Sequence, residues 1–513
     1  MIKTDIIQPI NQLLLSQSKN LKNKIAFSDY KTEITYSELD IKTTHFAKNI
    51  IESGIKTGES IALILPNSVD WIIACFAVLR VGCCIVPISF ESTQDEIGYK
   101  LFDSDAKLVI TTSSNEKNIN EINQLFNIEN KKCFLNKDLN SIGFCFKEFC
   151  IKSSNSITII DDNIDAASYI VYTSGTTGKP KGVVLTSRGM LWVVASCGIP
   201  IIGMNENDNI LSPLPLFHSY ALNVCVLGVL ATGCSEFIIE KFSPQNTLDL
   251  ITQKDFTLIP GVPTMFHYLL ETAKKNKISN LRTILRCASA GAIMPATLNN
   301  QFEKYFKIQL LDGYGITETS TFVTMNWPGK NRKMGSCGIP IPGMTVRIIN
   351  PNNYIDVNPD EEGELICHGP NLMLGYHNKL NETNKVIKNK WYHTGDIGKR
   401  DKNGFITITG RLKEIIIRGG QNISPAEIEE VILQDNQVLD CAVLGISHET
   451  LGEVPLAFLV LQDKNIFNQK QLIDFCTVSL STYKIPEKFQ IVDNIPRTGS
   501  GKIMRYKLKK IPC

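Results

Sequence analysis

Short β-branched runs alternate with helical patterns in the first part of the chain. The run ESIALIL (59–65) is followed by a polar helix start at Asn67 and Ser68, an apolar run IIACFAVLRVG, and a second strand-like run, CCIVPIS. Strand–helix–strand units of this kind build parallel sheets. The pattern therefore predicts an α/β fold.

Strand-like runs resume after Asp165, and each ends in a turn of small residues: ASYIVYTS, FTLIPGVP, RTILRCASAG and KIQLLDGYG. Ligand loops of α/β sheets lie at such strand ends, so we expect the functional residues to cluster there. By contrast, residues 115–156 are rich in Asn, Lys and Ser and have little periodicity. We predict a surface excursion without chemistry in that stretch.

A domain boundary is predicted where charged residues interrupt the pattern after the strand GFITITG (404–410). Ser424 as N-cap, Pro425 at the first helical position and Glu427 three residues after the cap predict a helix that starts with a capping box. The expected organisation is an N-terminal domain over 1–410, a boundary at 411–414 and a small α+β domain over 415–513.

Composition indicates a multi-domain globular protein whose partners are chosen by local sites. The chain has 513 residues, which is more than a single hydrophobic core accommodates, and 43% of them are hydrophobic, as is usual for a globular protein. Its 53 basic and 51 acidic residues give a net charge of +2, so no overall field favours nucleic acid or an anionic membrane.

The sequence favours a soluble cytoplasmic protein. Its 15 cysteines include no CxxC pair, which indicates reduced thiols, and neither end carries a signal peptide, a peroxisomal address or a prenylation box. The charge-free run 209–235 contains Pro213, Pro215, His218 and Asn223, which favour a buried loop and strand. No transmembrane segment is predicted.

The string YTSGTTGKPKG, Tyr172 to Gly182, directly follows the strand-like run SYIVY. Its glycines allow successive backbone N–H groups to form an anion nest, and its hydroxyl and lysine side chains add donors and charge, so we expect a polyphosphate ligand. A flexible surface hairpin is the alternative. The string is not a Walker A loop, because Thr173 stands where that motif has its first glycine and Pro180 follows Gly-Lys where the motif has Ser or Thr. The candidate ligands are Thr173, Ser174, Gly175, Thr176, Thr177, Gly178, Lys179 and Lys181.

This string resembles the signature of the adenylate-forming family, which contains acyl-CoA synthetases, peptide-synthetase adenylation domains and firefly-type luciferases. Further similar stretches follow in the family's order: PLPLFHSYALN, SAGAIMP, DGYGITET, YHTGD, GRLKEIIIRGGQNISPAEIE and IPRTGSGKIMR. The resemblance implies a large N-terminal domain of β-sheets flanked by helices and a small mobile α+β C-terminal domain. It also implies the activity: ATP and a carboxylic acid form an acyl-adenylate, and the acyl group then passes to a thiol, that of coenzyme A.

Glu318, beside a Gly-rich strand end, is the Mg²⁺ candidate because a lone carboxylate near phosphates is a hard oxygen ligand. Asp396 in YHTGD can accept hydrogen bonds from two ribose hydroxyls. The resemblance implies that Tyr314 packs on adenine, Thr317 contacts phosphate and Arg411 reaches the ribose or α-phosphate. The remaining nucleotide candidates are Ala290, Gly291, Ala292, Asp312, Gly313 and Gly315.

Lys502 lies in TGSGKIMR, and the resemblance makes it the catalytic lysine that bridges the attacking carboxylate and the α-phosphate. No general base is needed, because a carboxylic acid with a pKa of about 4 is already ionised. The catalytic set is Lys502, His218, Thr317 and Glu318. The resemblance also makes Lys413 the hinge and places Gly419, Gly420 and Gln421 on the coenzyme A side.

The residues His218, Ser219 and Tyr220 are expected to form the acyl pocket, although His218 is equally well explained as a buried histidine with a satisfied hydrogen bond. The string resembles both fatty acyl-CoA synthetases and coumarate-type aryl ligases, and we favour a medium- or long-chain fatty acid. Coumarate ligases commonly have lysine where this chain has Ile417, with Arg418 adjacent, so their coenzyme A contacts do not transfer directly.

Other functions remain open at this point. The enzyme could load the phosphopantetheine of a carrier protein, although no carrier domain follows Lys502. A luciferase-type oxidation has no supporting residue. A non-enzymatic module that binds ATP or acyl groups is disfavoured, because Lys502, Glu318, Asp396 and Arg411 are all present.

Overall fold

The computed structural model describes residues 2–135, 143–151, 163–173, 180–418, 421–463, 467–498 and 501–511. The strands are β1 Ile25–Ser28, β2 Glu33–Thr35, β3 Ser60–Ile64, β4 Cys84–Pro87, β5 Leu108–Thr111, β6 Lys131–Phe134, β7 Phe144–Cys145, β8 Ala167–Thr173, β9 Lys181–Thr186, β10 Asn209–Ser212, β11 Ser235–Ile238, β12 Leu258–Gly261, β13 Arg286–Ser289, β14 Gln309–Tyr314, β15 Thr324–Met325, β16 Ile339–Pro340, β17 Thr345–Ile349, β18 Gly363–His368, β19 Gly375–Tyr376, β20 Ile387–Lys388, β21 Trp391–Arg400, β22 Ile406–Arg411, β23 Ile416–Arg418, β24 Gln421–Ile423, β25 Val438–His448, β26 Gly452–Leu461 and β27 Lys488–Ile491.

The helices are α1 Ile10–Asn20, α2 Tyr36–Glu52, α3 Val69–Arg80, α4 Gln94–Ser104, α5 Glu116–Phe126, α6 Phe146–Ile151, α7 Ser187–Val193, α8 Ser219–Ala221, α9 Gly228–Thr232, α10 Pro244–Gln253, α11 Pro263–Lys275, α12 Ala296–Phe306, α13 Leu380–Val386, α14 Pro425–Ile432, α15 Gln469–Ser479 and α16 Arg505–Leu508. Two π-helical turns cover Val194–Ile202 and Leu222–Leu227, and short 3₁₀ turns occur at Thr4–Ile6, Ser113–Asn115, Thr317–Thr319 and Thr482–Lys484.

The predicted strand–helix–strand unit is present. Strands β3 and β4 are parallel and lie in an eight-stranded sheet, and α3 connects them. The Ser68 side chain accepts a hydrogen bond from the Trp71 N–H at 3.3 Å, which satisfies an otherwise free donor of the first turn. Because α3 is buried along almost its whole length, its run of apolar residues has no polar face. The α/β prediction is confirmed.

The predicted surface excursion is wrong for the part of 115–156 that the structure describes. Helix α5 buries Ile119 and Ile122, and β6 adds to the eight-stranded sheet in parallel with β5. Helix α5 buries only one face. Its exposed face carries the Asn, Lys and Glu residues that obscure the helical periodicity of the apolar residues in the sequence. The segment therefore extends the fold rather than leaving it.

Three parallel strands of a nine-stranded sheet, β12, β13 and β14, lie side by side and bring their carboxyl ends to one edge. The run 209–235 begins with β10 and a loop that contains Pro213, Pro215 and His218, as predicted, but it is mostly helical from Ser219 to Thr232. This differs from the predicted loop and strand, because a buried helix also shows as a continuous apolar run. Among the described residues, no helix is long and apolar enough to cross a membrane.

Two five-stranded sheets form the last third of the chain. Strand β22 pairs with β21 in one of them, and β23 begins the other, so the change of sheet falls between Arg411 and Ile416. Helix α14 begins at Pro425, as predicted, but the predicted capping box is wrong. The Ser424 hydroxyl donates to the Thr409 carbonyl, and Glu427 instead accepts from Lys484 Nζ at 2.6 Å. The hydrogen bond from Ser424 to the distant Thr409 carbonyl therefore replaces the local cap of the helix.

Candidate active site

The predicted acyl residues lie directly beside a predicted phosphate residue. Thr321 Oγ1 donates to the Ser219 carbonyl at 2.9 Å, and the hydroxyl oxygens of Ser219 and Thr317 lie 3.5 Å apart. The Tyr220 hydroxyl donates to the Ala288 carbonyl at 2.9 Å. Two motifs about a hundred residues apart in sequence therefore meet at one point.

His218 contributes a neutral imidazole to this site. Its Nε2 is buried and has no hydrogen-bond partner among the described residues. Burial, and secondarily the charge of Lys100, lower the pKa of His218 to about 4. The ring is therefore uncharged at neutral pH, and the described residues do not supply the hydrogen bond that the alternative interpretation of His218 requires.

The glycines of DGYG have a packing reason. A Cβ on Gly315 would stand 1.4 Å from the Thr321 carbonyl oxygen, and one on Gly313 would stand 2.4 Å from Met325 Sδ. Asp312, just before them, is buried, and its Oδ1 has no partner among the described residues. Burial raises the pKa of this carboxyl well above its usual range. The strand end therefore presents one buried carboxyl oxygen that has no partner among the described residues.

Asp396 is buried between a phenol and a guanidinium. The Tyr314 hydroxyl donates to Asp396 Oδ2 at 2.5 Å, and Arg411 Nε lies 2.7 Å from Asp396 Oδ1. Strands β21 and β22 bring the acid and the arginine opposite each other. A carboxylate has about four acceptor positions, so Asp396 retains capacity for further hydrogen bonds.

Glu318 is held by a tyrosine. The Tyr376 hydroxyl donates to Glu318 Oε1 at 2.9 Å. No group of three or more His, Cys, Asp or Glu residues in the described ranges could hold a metal ion. A cation at Glu318 would therefore need oxygen ligands from its substrate, as a phosphate-bound Mg²⁺ does.

Lys181, predicted to bind phosphate, forms an ion pair with Glu382 on α13 at 2.7 Å, and its ammonium lies 5.0 Å from the centre of the Tyr376 ring. Thr173 ends β8, opposite Lys181. The other predicted ligands in this string lie outside the described residues: Ser174, Gly175, Thr176, Thr177, Gly178 and Lys179.

A polar network missed by the sequence analysis holds both arms of the β8–β9 hairpin. The Tyr172 hydroxyl donates to Asp103 Oδ2 at 2.8 Å, and the Tyr99 hydroxyl donates to the Pro180 carbonyl at 2.9 Å. Lys379 Nζ donates to Asp103 Oδ1 at 2.7 Å. Asp103 and Tyr99 lie on α4, and no motif marks them in the sequence.

Lys502 shares an electrostatic environment with three predicted site residues. Burial and the charge of Arg411 lower the pKa of Lys502 to about 8, while Asp396, Glu414 and Glu318 act in the opposite direction. The lysine is half-buried. The ammonium therefore lies within electrostatic reach of the nucleotide candidates.

The Lys502 loop packs on the large domain. A Cβ added to Gly501 would stand 2.9 Å from Val262 Cγ2, where β12 ends. Glu414 lies 3.4 Å from Arg505, which forms a second ion pair with Glu429. The contact of Gly501 with Val262 brings the Lys502 loop close to candidate residues from the first part of the chain.

The remaining predicted residues occupy the boundary and the adenine-side turn. Lys413 is exposed in the turn after β22, and Gln421 is exposed opposite Arg418 at the start of β24. Gly419 and Gly420 lie outside the described residues. In the turn after β13, Ala290 is buried, Gly291 has a positive φ of 91°, and Ala292 is half-buried.

Family models match two parts of the chain. The model described as AMP-binding enzyme matches residues 14–377, and the one described as AMP-binding enzyme C-terminal domain matches residues 427–502. The chain belongs to the AMP-binding enzyme family. The resemblance stated from its motifs is thereby confirmed.

This AMP-binding enzyme is 30% identical over 529 residues to the long-chain-fatty-acid–CoA ligase of Bacillus subtilis (strain 168), covering 97% of this chain and 94% of that protein. It is 29% identical over 491 residues to feruloyl-CoA synthase of an Amycolatopsis species, covering 93% and 94%. The solved structure of o-succinylbenzoate coenzyme A synthetase from Bacillus subtilis, in complex with ATP and magnesium ion, has a TM-score of 0.85 and 28% identity, covering 98% of this chain and 100% of that one. The predicted fold, a large N-terminal and a small C-terminal domain, is confirmed.

Proposed function

We propose that this AMP-binding enzyme is an AMP-forming acid–CoA ligase that uses MgATP. The observation that carries the proposal is the common environment of Lys502, Arg411, Asp396 and Glu318, next to the contact between Ser219 and Thr317. The acyl pocket, the nucleotide site and the Lys502 ammonium of the mobile C-terminal domain would then lie at one place. We assign residues 1–410 to the N-terminal domain, 411–414 to the hinge and 415–513 to the C-terminal domain.

The described residues fit a nucleotide. The buried, unpaired oxygen of Asp312 can accept a hydrogen bond from the adenine amino group. Asp396 can accept from ribose hydroxyls, and Arg411 beside it can neutralise a phosphate. Glu318 would be the protein ligand of the Mg²⁺ that enters with ATP, an ion that neutralises phosphate charge when bound.

Catalysis would be positional and electrostatic. One oxygen of the ionised substrate carboxylate attacks the α-phosphorus, the bond to the β-phosphate oxygen breaks, and pyrophosphate leaves. Lys502 stabilises the charge that develops between the carboxylate and the α-phosphate. A thiolate then attacks the acyl carbon, and AMP leaves with the electron pair of the acyl–oxygen bond.

The second half-reaction requires access for the thiol to the same acyl carbon. We propose that the C-terminal domain turns about Lys413, which withdraws Lys502 and brings Gly419, Gly420 and Gln421 towards the acyl site. The exposed turn between two separate sheets supports a pivot at this position.

A fatty acid of medium or long chain is the proposed substrate class, with an aryl acid as the alternative. The Tyr220 hydroxyl already donates a hydrogen bond to the Ala288 carbonyl. The Tyr220 ring packs against Phe322, with ring centroids 5.5 Å apart. His218 is neutral and buried. These features supply no charged partner for a polar acyl group, and the relatives include both fatty-acid and feruloyl enzymes.

The decisive experiment is carboxylate-dependent pyrophosphate release over a panel of fatty and aryl acids, with and without coenzyme A. We expect release with aliphatic acids and thioester formation when coenzyme A is added. Release without thioester in the presence of coenzyme A would indicate a carrier-protein acceptor. No release with any acid would overturn the assignment as an adenylating enzyme.

A further inference from the structure

Tyr376 lies between two residues of the proposed nucleotide site. Its hydroxyl donates to Glu318 Oε1 at 2.9 Å, and Lys181 Nζ lies 5.0 Å from the centre of its ring. The side chain is only 8% exposed. No motif in the sequence analysis marked this residue.

The backbone of Tyr376 is fixed to the arm of the β8–β9 hairpin. Strand β19 pairs with β9, with Tyr376 opposite Val183. On either side of it, the Leu374 N–H donates to the Val184 carbonyl at 2.9 Å and the His377 N–H donates to the Gly182 carbonyl at 2.8 Å. A displacement of this arm therefore moves the group that holds Glu318.

The hydrogen bond constrains the Glu318 carboxylate in a way that matters for a metal. It occupies Oε1 and fixes the rotation of the carboxylate plane, and it leaves Oε2 available. Hydrogen-bond partners of metal-ligating carboxylates typically change metal affinity about 10- to 100-fold when removed.

We propose that Tyr376 is a positioning residue for the divalent cation of MgATP, acting through its hydroxyl on Glu318. The inference rests on the proposed function, because it requires a nucleotide-bound metal at Glu318. It extends that function by coupling the metal ligand to the arm that carries Lys181.

The test compares Tyr376→Phe, which keeps the ring, with the wild type by electron paramagnetic resonance of Mn²⁺ in the presence of ATP and no acid. We expect Mn²⁺ affinity in the ternary complex to fall about 10-fold, while metal-free ATP affinity and thermal unfolding change little. Tyr305→Phe is the matched control. It removes the hydroxyl of a half-buried tyrosine whose described hydrogen bond, at 3.5 Å, goes to the Ala273 carbonyl and not to Tyr376 or Glu318, so we expect an affinity near that of the wild type.

A double-mutant cycle separates the proposed role from a purely structural one. On a Glu318→Gln background, Tyr376→Phe should cause no further loss of Mn²⁺ affinity, since both changes remove the same interaction. Additive losses, or a Tyr376→Phe variant that binds Mn²⁺ as the wild type does, would overturn the inference. A wild-type protein that binds no MnATP would instead refute the proposed function.

Discussion

Replacing Lys502 by alanine should remove most of the adenylation activity. The structure gives this ammonium a half-buried position within electrostatic reach of Arg411, Asp396 and Glu318. A unit charge about 4 Å from developing charge is worth roughly 4 kcal/mol at an effective dielectric near 20. Part of this is lost to screening and to water that enters the vacated space, so we expect a rate loss of about 10²- to 10³-fold.

The assay is carboxylate-dependent exchange of pyrophosphate into ATP, because it reports adenylation without the thiol step. Lys509→Ala is the matched control, since Lys509 is an exposed lysine of the same C-terminal segment and should leave exchange unchanged. Circular dichroism should show an intact fold for both variants, because no described hydrogen bond of the native fold uses the Lys502 ammonium.

Thioester formation from supplied acyl-adenylate is the second readout for Lys502→Ala. If the lysine serves only the first half-reaction, this activity should persist. Exchange at the wild-type rate in Lys502→Ala would refute the electrostatic reasoning, whatever the outcome for the thiol step.

The other predictions concern pH, the hinge and the hairpin network. The kcat/KM for ATP should fall as pH rises above about 8, because the pKa of Lys502 is lowered to about 8 and the free enzyme loses its active ammonium. The kcat should persist to higher pH, because bound phosphates raise the pKa of Lys502. A kcat/KM profile that is flat to pH 10 would contradict this role. Lys413→Pro should spare pyrophosphate exchange and depress thioester formation, and equal loss of both would argue against a hinge. Asp103→Asn weakens the contact with Tyr172 and should raise the KM for ATP several-fold and lower the free energy of unfolding by about 1–2 kcal/mol, without changing the KM for the acid. The exposed neighbour Asp105→Asn is its control, and an equal effect of the two in kinetics and chemical denaturation would disprove the role of the network.

Sequence reasoning succeeded in predicting which strand ends lie side by side. The turns after β12, β13 and β14 meet because parallel strands share an edge, and this follows from the order of elements alone. The nucleotide-binding role of the glycines of DGYG stays a prediction, while the structure shows that they are packed against the Thr321 backbone and Met325.

It failed where a distant segment competes with a local rule. The capping box at Ser424 obeys the local pattern, but the Thr409 carbonyl accepts its hydroxyl instead. Asp103 and Lys379 are 276 positions apart, and they meet because β19 pairs with β9 and α4 packs against β9. Such contacts depend on topology, which periodicity and motif spacing do not specify.

The same pairing bears on how the two halves of the proposed site are coupled. Strand β19 joins the hairpin arm to Tyr376, Tyr376 holds Glu318, and Glu318 follows Thr317, whose hydroxyl lies 3.5 Å from that of Ser219 in the acyl loop. Each link is a peptide bond, a hydrogen bond or a close contact between buried or half-buried groups, so we expect a shift at one end to reach the other. If ATP orders this chain of contacts, acid binding should strengthen when ATP is present, and by linkage ATP should bind more tightly in the presence of acid by the same factor. Tyr376→Phe should reduce that factor in both directions, a reciprocity that loss of stability alone does not produce.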